Sequence, residues 1–508
     1  MNRRTAWLVA SVSVVFTVLF NELNIRLIRE CNPQNTEMNN ASLVEEQTIF
    51  NIDNEYYLTP PQNFIAGKGW KRSPGVSNGD YFRRVPGYSL LYYAFVRSFG
   101  PENGHRLLKY FQVLLFGISV YCLCFILYYF SQNRNTSLLF ALVYAVCPIF
   151  SEWVYFTLTD SLTSVLVLFC LFFIVEARKA DEEKKKRNFY LLSSFFAGYM
   201  VLTRPFTAIA GIVIVASLFD EYYLQAEKKI LPLAKTMALV SVMPLLMISA
   251  WTIRNYTLTK EFVPLEKAFH PQSLDRMKPE FEGLFSFTKC WGEDGTHFNS
   301  YHQPLYTAAM KGDTATAYAE NVIASFPPYV ISDFGREKLL QVLKAHQSVL
   351  LEEKKYFDAG TAMPDHYLAS QENVKKMYDE LIIEFRSRHF FRYYVLSPVK
   401  YLQRMVVNSY TANLFIFQDR FRQHTFVNLV RYLFLLLHIS IYVCLFINIF
   451  LLPNDWKKLT IVLAPLLFIF FFTFFHREIQ QHYMMPVMPI MFLNLPALAS
   501  RMFYFKKR

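Results

Sequence analysis

Charged side chains are scarce in this 508-residue chain: Asp, Glu, Lys and Arg make up 18%, against about 25% in soluble globular proteins. That shortage argues against the three or so soluble domains the length alone would suggest. No CxxC, HExxH, P-loop or GxSxG motif occurs, which argues against a zinc site, an NTPase and a serine hydrolase. Cysteine is also sparse, at seven. Cys122, Cys124, Cys147, Cys170 and Cys444 fall in apolar runs, where a thiol behaves as a small hydrophobe. Only Cys31 and Cys290 lie elsewhere, a single pair open to a disulfide in an oxidising compartment. Internal repeats and low-complexity tracts are absent as well.

What the chain has instead is 53% apolar and 17% aromatic residues, gathered in runs long enough to cross a bilayer, which takes about 20 residues per helix. Candidate spans are 6–22, 108–131, 137–156, 160–176, 189–203, 205–219, 235–253, 426–450, 458–475 and 482–500. The composition therefore predicts an all-α polytopic membrane protein of about ten transmembrane helices. It divides into an N-terminal membrane module (1–253) with a long first loop (23–107), a large segment (254–425) and C-terminal spans (426–508). Asp333 to Leu351 and Gln371 to Arg386 have the apolar spacing of amphipathic helices, and Phe390 to Phe417 is apolar enough to lie along a membrane surface.

The formal net charge is +12, a balance that in a soluble protein suggests nucleic acid or an acidic partner. With the N-terminus cytosolic, the inside segments hold 18 Lys and Arg and 7 Asp and Glu, while the 254–425 segment is close to neutral. The excess thus follows the positive-inside rule. It speaks for the lipid bilayer as a partner and gives no support to nucleic acid.

This orientation puts both long segments on the non-cytosolic side, with a set of ionisable and aromatic residues. Asp53, Glu55 and Tyr57 stand in the first loop, followed by Lys68, Lys71, Arg72, Arg84 and Tyr88. Asp160 opens the fourth span, Arg204 sits in the turn between the fifth and sixth, and Arg254 ends the seventh. His476, Arg477, His482 and Tyr483 lie at the last outside turn. Each alone reads as an interfacial anchor or a snorkelling side chain. Together, a carboxylate, cations and aromatic surfaces on one face suit deprotonation of a hydroxyl, binding of a phosphate and stacking on a sugar.

Several stretches resemble the type C (GT-C) glycosyltransferases, in particular the group that uses polyprenyl- or dolichyl-phosphate sugars and includes protein O-mannosyltransferases and bacterial aminoarabinose transferases. They are Asp53 with Tyr57 and Gly67-x-Gly69, Arg84-Val-Pro86-Gly87-Tyr88, Asp160 after Cys147-Pro148, Gly198 with Leu202-Thr-Arg204-Pro205, and Ala250-Trp251-Thr-Ile-Arg254-Asn255-Tyr256 with Glu261 to Leu265. The last piece, His482-Tyr483 followed by Pro486 and Pro489, has histidine where the family has arginine.

The resemblance implies a GT-C-like helical bundle with interfacial helices and a mixed outside segment. It implies an inverting transferase with Asp53 as general base and Arg84, Arg204, Arg254 and Arg477 on the donor phosphate. Glu55, Tyr57, Tyr88, Asp160, His476, His482 and Tyr483 are supporting residues. The partners are a polyprenyl-phosphate-linked sugar and an acceptor glycan, lipid or protein, at a bacterial inner membrane with the site toward the periplasm or exterior. No cofactor is firmly implied, although Asp53-Asn-Glu55 has the acidic-x-acidic form that could hold a divalent cation. A transporter or flippase of lipid-linked sugars is the first alternative, and the chain lacks the two-half symmetry common there. A polysaccharide polymerase or ligase is the second, and it does not need the early Asp53 loop.

Overall fold

The structure, a computed structural model, describes residues 1–31, 43–45, 48–50, 52–72, 81–225, 229–267, 271, 278–292, 295–361, 363–408, 425–479 and 483–505. These residues are almost wholly helical; two three-residue strands, Leu43–Glu45 and Thr48–Phe50, pair antiparallel. In the N-terminal module the helices are α1 (Arg3–Cys31), α2 (Glu55–Ile65), α3 (Gly87–Phe99), α4 (Pro101–Ser131), α5 (Arg134–Ala145), α6 (Pro148–Ser151), α7 (Thr159–Lys179), α8 (Glu183–Thr203), α9 (Ile212–Phe219) and α10 (Ile230–Thr259).

Local chemistry sets several of their ends. Gly100, at φ +82°, turns the chain between α3 and α4, and Pro101 then starts α4 where its missing N–H has no helical partner to lose. Asn133 caps α5 by accepting from the backbone N–H groups of Asn135 and Thr136. Cys147-Pro148 interrupts the next apolar run, and α5 meets the following helical stretch, Pro148–Tyr155, at a 57° bend.

Seven helices among the described residues are long and apolar enough to cross a membrane, or eight if the bent pair is one span. Two expected spans are not among them. The run 189–203 is the end of α8, whose first turns read Glu183-Lys-Lys-Lys-Arg187. The run 482–500 forms the shorter helices Met488–Phe492 and Asn494–Phe505. The chain is a multi-pass integral membrane protein.

Two apolar clusters result. One joins the spans, with Tyr144 stacked on Phe150 at 3.9 Å and edge-on to Phe492 at 5.4 Å. The other lies within the 254–425 segment, around Phe287, Trp291, Phe326, Phe334 and Tyr378. Its helices Arg336–Asp358 and Ala369–Arg388 occupy the two stretches with amphipathic spacing. On the first, Leu339, Val342, Leu343, His346, Val349, Leu350 and Glu353 form the buried stripe. Residues 392–408 are helical, with Phe390, Phe391 and Val399 exposed, while 409–417 lie outside the described residues. Cys290 is a buried free thiol, and the side chain of Cys31 lies outside the described residues.

The second cluster contains a buried acid pair. Lys278 Nζ lies 3.1 Å from Glu353 Oε2, and Glu280 is buried beside them. Burial and the neighbouring Glu353 push the Glu280 carboxyl up to about 8. Folding therefore takes up a proton on Glu280 at any pH between the ordinary carboxylate value and about 8. Its contribution to stability is full at acid pH and is lost as pH rises through that window. Thermal melts between pH 5 and pH 8.5 should show the segment less stable at the alkaline end. Glu280→Gln should flatten that slope, and an equal slope in both proteins would remove Glu280 as its source.

Candidate active site

Asp53 sits in the 3-10 turn Ile52–Asn54 that leads into α2. On the buried side of α2, Tyr57 meets Tyr88 edge-on at 5.9 Å. Tyr88 donates its hydroxyl to Gln112 Oε1 at 2.9 Å, and Gln112 Nε2 donates to the Val154 carbonyl at 2.7 Å. The first loop is thus fastened to α4 and to the 3-10 turn Glu152–Tyr155 that follows α6. On the other side, the guanidiniums of Arg72, Arg83 and Arg84 surround the Tyr56 ring at 4.4, 4.7 and 5.3 Å. Arg84 Nη2 lies 4.0 Å from Asp53 Oδ1.

The placement of Arg84 depends on Pro86-Gly87. A Cβ on Gly87 would lie 2.5 Å from Thr203 Oγ1 and 2.6 Å from the Leu202 carbonyl oxygen. Only hydrogen fits there, so the start of α3 seats directly on the end of α8. Tyr199 locks the contact by donating its hydroxyl to the Gly87 carbonyl at 2.8 Å. The next residue after α8 is Arg204, so this close approach brings Arg204 to the Arg84 loop. Gly87→Ala should cost about 1–3 kcal/mol of stability, the usual range for overpacking, and reduce activity with it. A melt and a rate measurement on the same preparation check this; wild-type values for both would show that the seat can yield.

Arg204 Nη1 pairs with Asp160 Oδ1 at 2.6 Å, and Asp160 is almost wholly buried. Asp160 Oδ2 and Arg84 Nε are buried without a hydrogen-bond partner among the described residues.

A residue that sequence reasoning missed completes the cluster. The outer end of α10 clasps the returning chain: Trp251 Nε1 donates to the Leu265 carbonyl at 2.7 Å and Asn255 Nδ2 to the Val263 carbonyl at 2.9 Å. Lys267 N–H then donates to the Phe82 carbonyl at 3.3 Å. Between these ties lies Glu266, which accepts from the Val85 N–H and senses Arg84, Arg204 and Arg83. Burial raises the Glu266 carboxyl and these three cations oppose the rise. For Arg84, burial works against the charge, but Tyr57, Glu266, Asp53 and Tyr483 outweigh it and raise its proton affinity, so it is a fixed cation. The Trp251-to-Leu265 stretch stood out in the sequence and ends one residue short of Glu266.

The other expected residues are placed differently. Arg254 donates to the Tyr81 carbonyl at 2.5 Å and the Trp70 carbonyl at 2.9 Å, tying the first loop to α10. Arg477, in the left-handed region at φ +51°, donates to the carbonyls of Phe474 and Tyr393 and lies over the Tyr393 ring at 3.6 Å. It joins the last span to the 254–425 segment. His476 is 3.4 Å from Glu478, and its ring is 5.4 Å from that of Tyr483, which in turn is 5.9 Å from the Arg204 guanidinium. His482 lies outside the described residues. Asp53, Tyr57, Arg84, Asp160, Arg204, Glu266 and Tyr483 therefore form one connected set, with Arg254 and Arg477 at its margins.

A divalent cation at Asp53 and Glu55 does not fit this arrangement. Such ions take about six oxygen ligands. Here Arg84 stands by Asp53, Arg72 Nη2 lies 3.3 Å from Glu55 Oε2, and no group of three or more candidate ligands gathers among the described residues.

Residues 90–248 match the family described as dolichyl-phosphate-mannose-protein mannosyltransferase. Among solved structures the chain is similar to the Archaeoglobus fulgidus oligosaccharyltransferase, at 11% identity and a TM-score of 0.47, over 98% of this chain and 50% of that one. It is also similar to ArnT from Cupriavidus metallidurans bound to undecaprenyl phosphate, at 12% identity and a TM-score of 0.34, over 95% of this chain and 77% of that one. The chain thus spans about half the length of the archaeal protein. The comparison with curated proteins found no match. Both structural likenesses are loose, so what the chain shares with the mannosyltransferase family is the match over residues 90–248, within α3 to α10.

Proposed function

We propose that the chain transfers a sugar from a polyprenyl-phosphate donor to an acceptor hydroxyl on a glycan, lipid or protein, with inversion at the anomeric carbon. Asp53 accepts the hydroxyl proton as the acceptor oxygen attacks the anomeric carbon. The bond from that carbon to the phosphate oxygen breaks on the opposite face, and its electron pair leaves with the lipid phosphate. The observation that carries this reading is a half-buried Asp53 beside Arg84, itself one step from the Arg204–Asp160 pair. A base and two phosphate-binding cations thus share one site.

Arg84 brings an unpartnered Nε donor to the growing phosphate charge, and Arg204 brings a guanidinium that Asp160 already orients. Arg254 and Arg477 act on the donor through the loops they pin. Tyr57 and Tyr88 hold the Asp53 turn, Tyr483 flanks Arg204 with His476 against the Tyr483 ring, and Glu55 restrains Arg72. The family description supports the lipid-phosphate class of donor. In this reading the site faces away from the cation-rich side of the membrane, toward the periplasm or exterior of a bacterial cell.

Polyprenyl phosphate binding to the purified full chain tests the phosphate site. Arg84→Ala and Arg204→Ala should each weaken it by about tenfold or more, as expected for hydrogen bonds to a charged group. Unchanged affinity in both would remove these arginines from the donor site.

A further inference from the structure

About 30 Å from Arg204, at the opposite end of α8, lies a second charged feature that the transfer reaction does not use. The distance follows from the 21 residues of α8 at about 1.5 Å each. Here the first turns of α8, the start of α10 and Tyr222 enclose a cleft of about 380 Å³. Lys184, Lys186, Arg187 and Lys235 line it, against the single carboxylate of Glu183.

The cations are not equivalent. Lys186 is held at 2.7 Å from Glu221 and 3.4 Å from Glu183, so its charge is largely balanced within the protein. Lys184, Arg187 and Lys235 are exposed and make no ion pair among the described residues. Lys184 and Arg187 stand three residues apart, on one face of α8.

Packing explains why the cleft exists. Higher up, α8 and α10 touch closely: a Cβ on Gly198 would lie 2.9 Å from Pro244 Cα and from Met247 Sδ. Ser194 Oγ also bonds to the Val240 carbonyl. Below that seam long polar side chains replace small ones, and the helices leave a gap. The gap opens beside Leu239, along an α10 whose apolar side chains are overwhelmingly unburied, among them Ile230, Leu231, Leu245 and Leu246.

We propose that this cleft binds the phosphate headgroup of an anionic phospholipid in the leaflet opposite the candidate active site, with the acyl chains along the exposed apolar surface of α10. A cationic pocket between membrane helices supplies the charge, and the adjoining apolar wall matches a lipid tail. A free phosphate shares the headgroup chemistry but gains nothing from that wall.

The test uses the purified full chain in a zwitterionic detergent, with phosphatidylglycerol, phosphatidylcholine and inorganic phosphate as probes. Bound lipid is counted by native mass spectrometry. Phosphatidylglycerol should bind in preference to phosphatidylcholine, and Lys184→Ala/Arg187→Ala/Lys235→Ala should weaken it by at least about tenfold. The single reversal Lys235→Glu, at an exposed position, should weaken it in the same direction. Removing three cations from the 254–425 segment, by Lys311→Ala/Lys344→Ala/Lys376→Ala, should leave binding intact. Equal binding of the two lipids, equal loss in both triple variants, or displacement by millimolar inorganic phosphate would each overturn the lipid-headgroup assignment.

Discussion

Asp53→Asn is expected to lower kcat for sugar transfer by about 10²- to 10⁴-fold, the range a positioned general base contributes, without weakening the donor. The amide keeps the size of the carboxylate but cannot take the acceptor proton. Because Asp53 Oδ1 lies 4.0 Å from Arg84 Nη2, removing its charge leaves Arg84 at least as free to meet a phosphate. The effect should therefore fall on kcat, with polyprenyl phosphate affinity equal to or tighter than wild type. Single-turnover rates alongside equilibrium donor binding separate the two. A loss of donor affinity with an unchanged single-turnover rate would make Asp53 a binding residue.

The Arg204–Asp160 pair should give the second large effect, on stability as well as activity. Asp160 is about 1% exposed and its pairing with Arg204 at 2.6 Å is what balances its charge. Arg204→Ala leaves a buried carboxylate uncompensated, which typically costs about 3–5 kcal/mol. Replacing both, as Asp160→Asn/Arg204→Gln, removes the stranded charge and should recover much of that stability. Transfer should not return with it, since the phosphate has lost its cation. Melting temperature and transfer rate measured on the two single variants and the double one check the account. If the double variant recovered activity together with stability, Arg204 would be part of the scaffold only.

These effects concern residues that could be found in the sequence, but their partners could not. Asp160 and Arg204 stand out because charge at the ends of apolar runs is conspicuous, and Asp53 and Arg84 because a carboxylate, cations and aromatic residues gather in the first loop. That Asp160 holds Arg204 depends on how α7 and α8 pack, and nothing in the spacing encodes it. Arg254 and Arg477 show the limit most clearly. As cations at span ends they looked equivalent to Arg204, yet each donates to backbone carbonyls, which every residue carries and no pattern marks. Glu266 had no signal of its own: one glutamate in an irregular stretch, made significant by a clasp from α10 and by Arg84 far away in the chain.

The fold was legible for a simpler reason. Long apolar runs leave a chain few options but to span, and the buried stripe of Arg336–Asp358 follows a helical period that can be counted directly. What blurred the count of spans was local. A charged start shortens the apolar part of α8, and a proline bends the helix that follows α5.

The configuration of the transferred sugar separates direct displacement from any route through a covalent intermediate. The purified chain would be given a polyprenyl-phosphate sugar of known anomeric configuration and acceptor from its own membranes, and the product linkage read by NMR. Direct displacement with Asp53 as base predicts a product of inverted configuration from the wild-type protein and none from Asp53→Asn. A product of retained configuration, or transfer by Asp53→Asn at the wild-type rate, would contradict it.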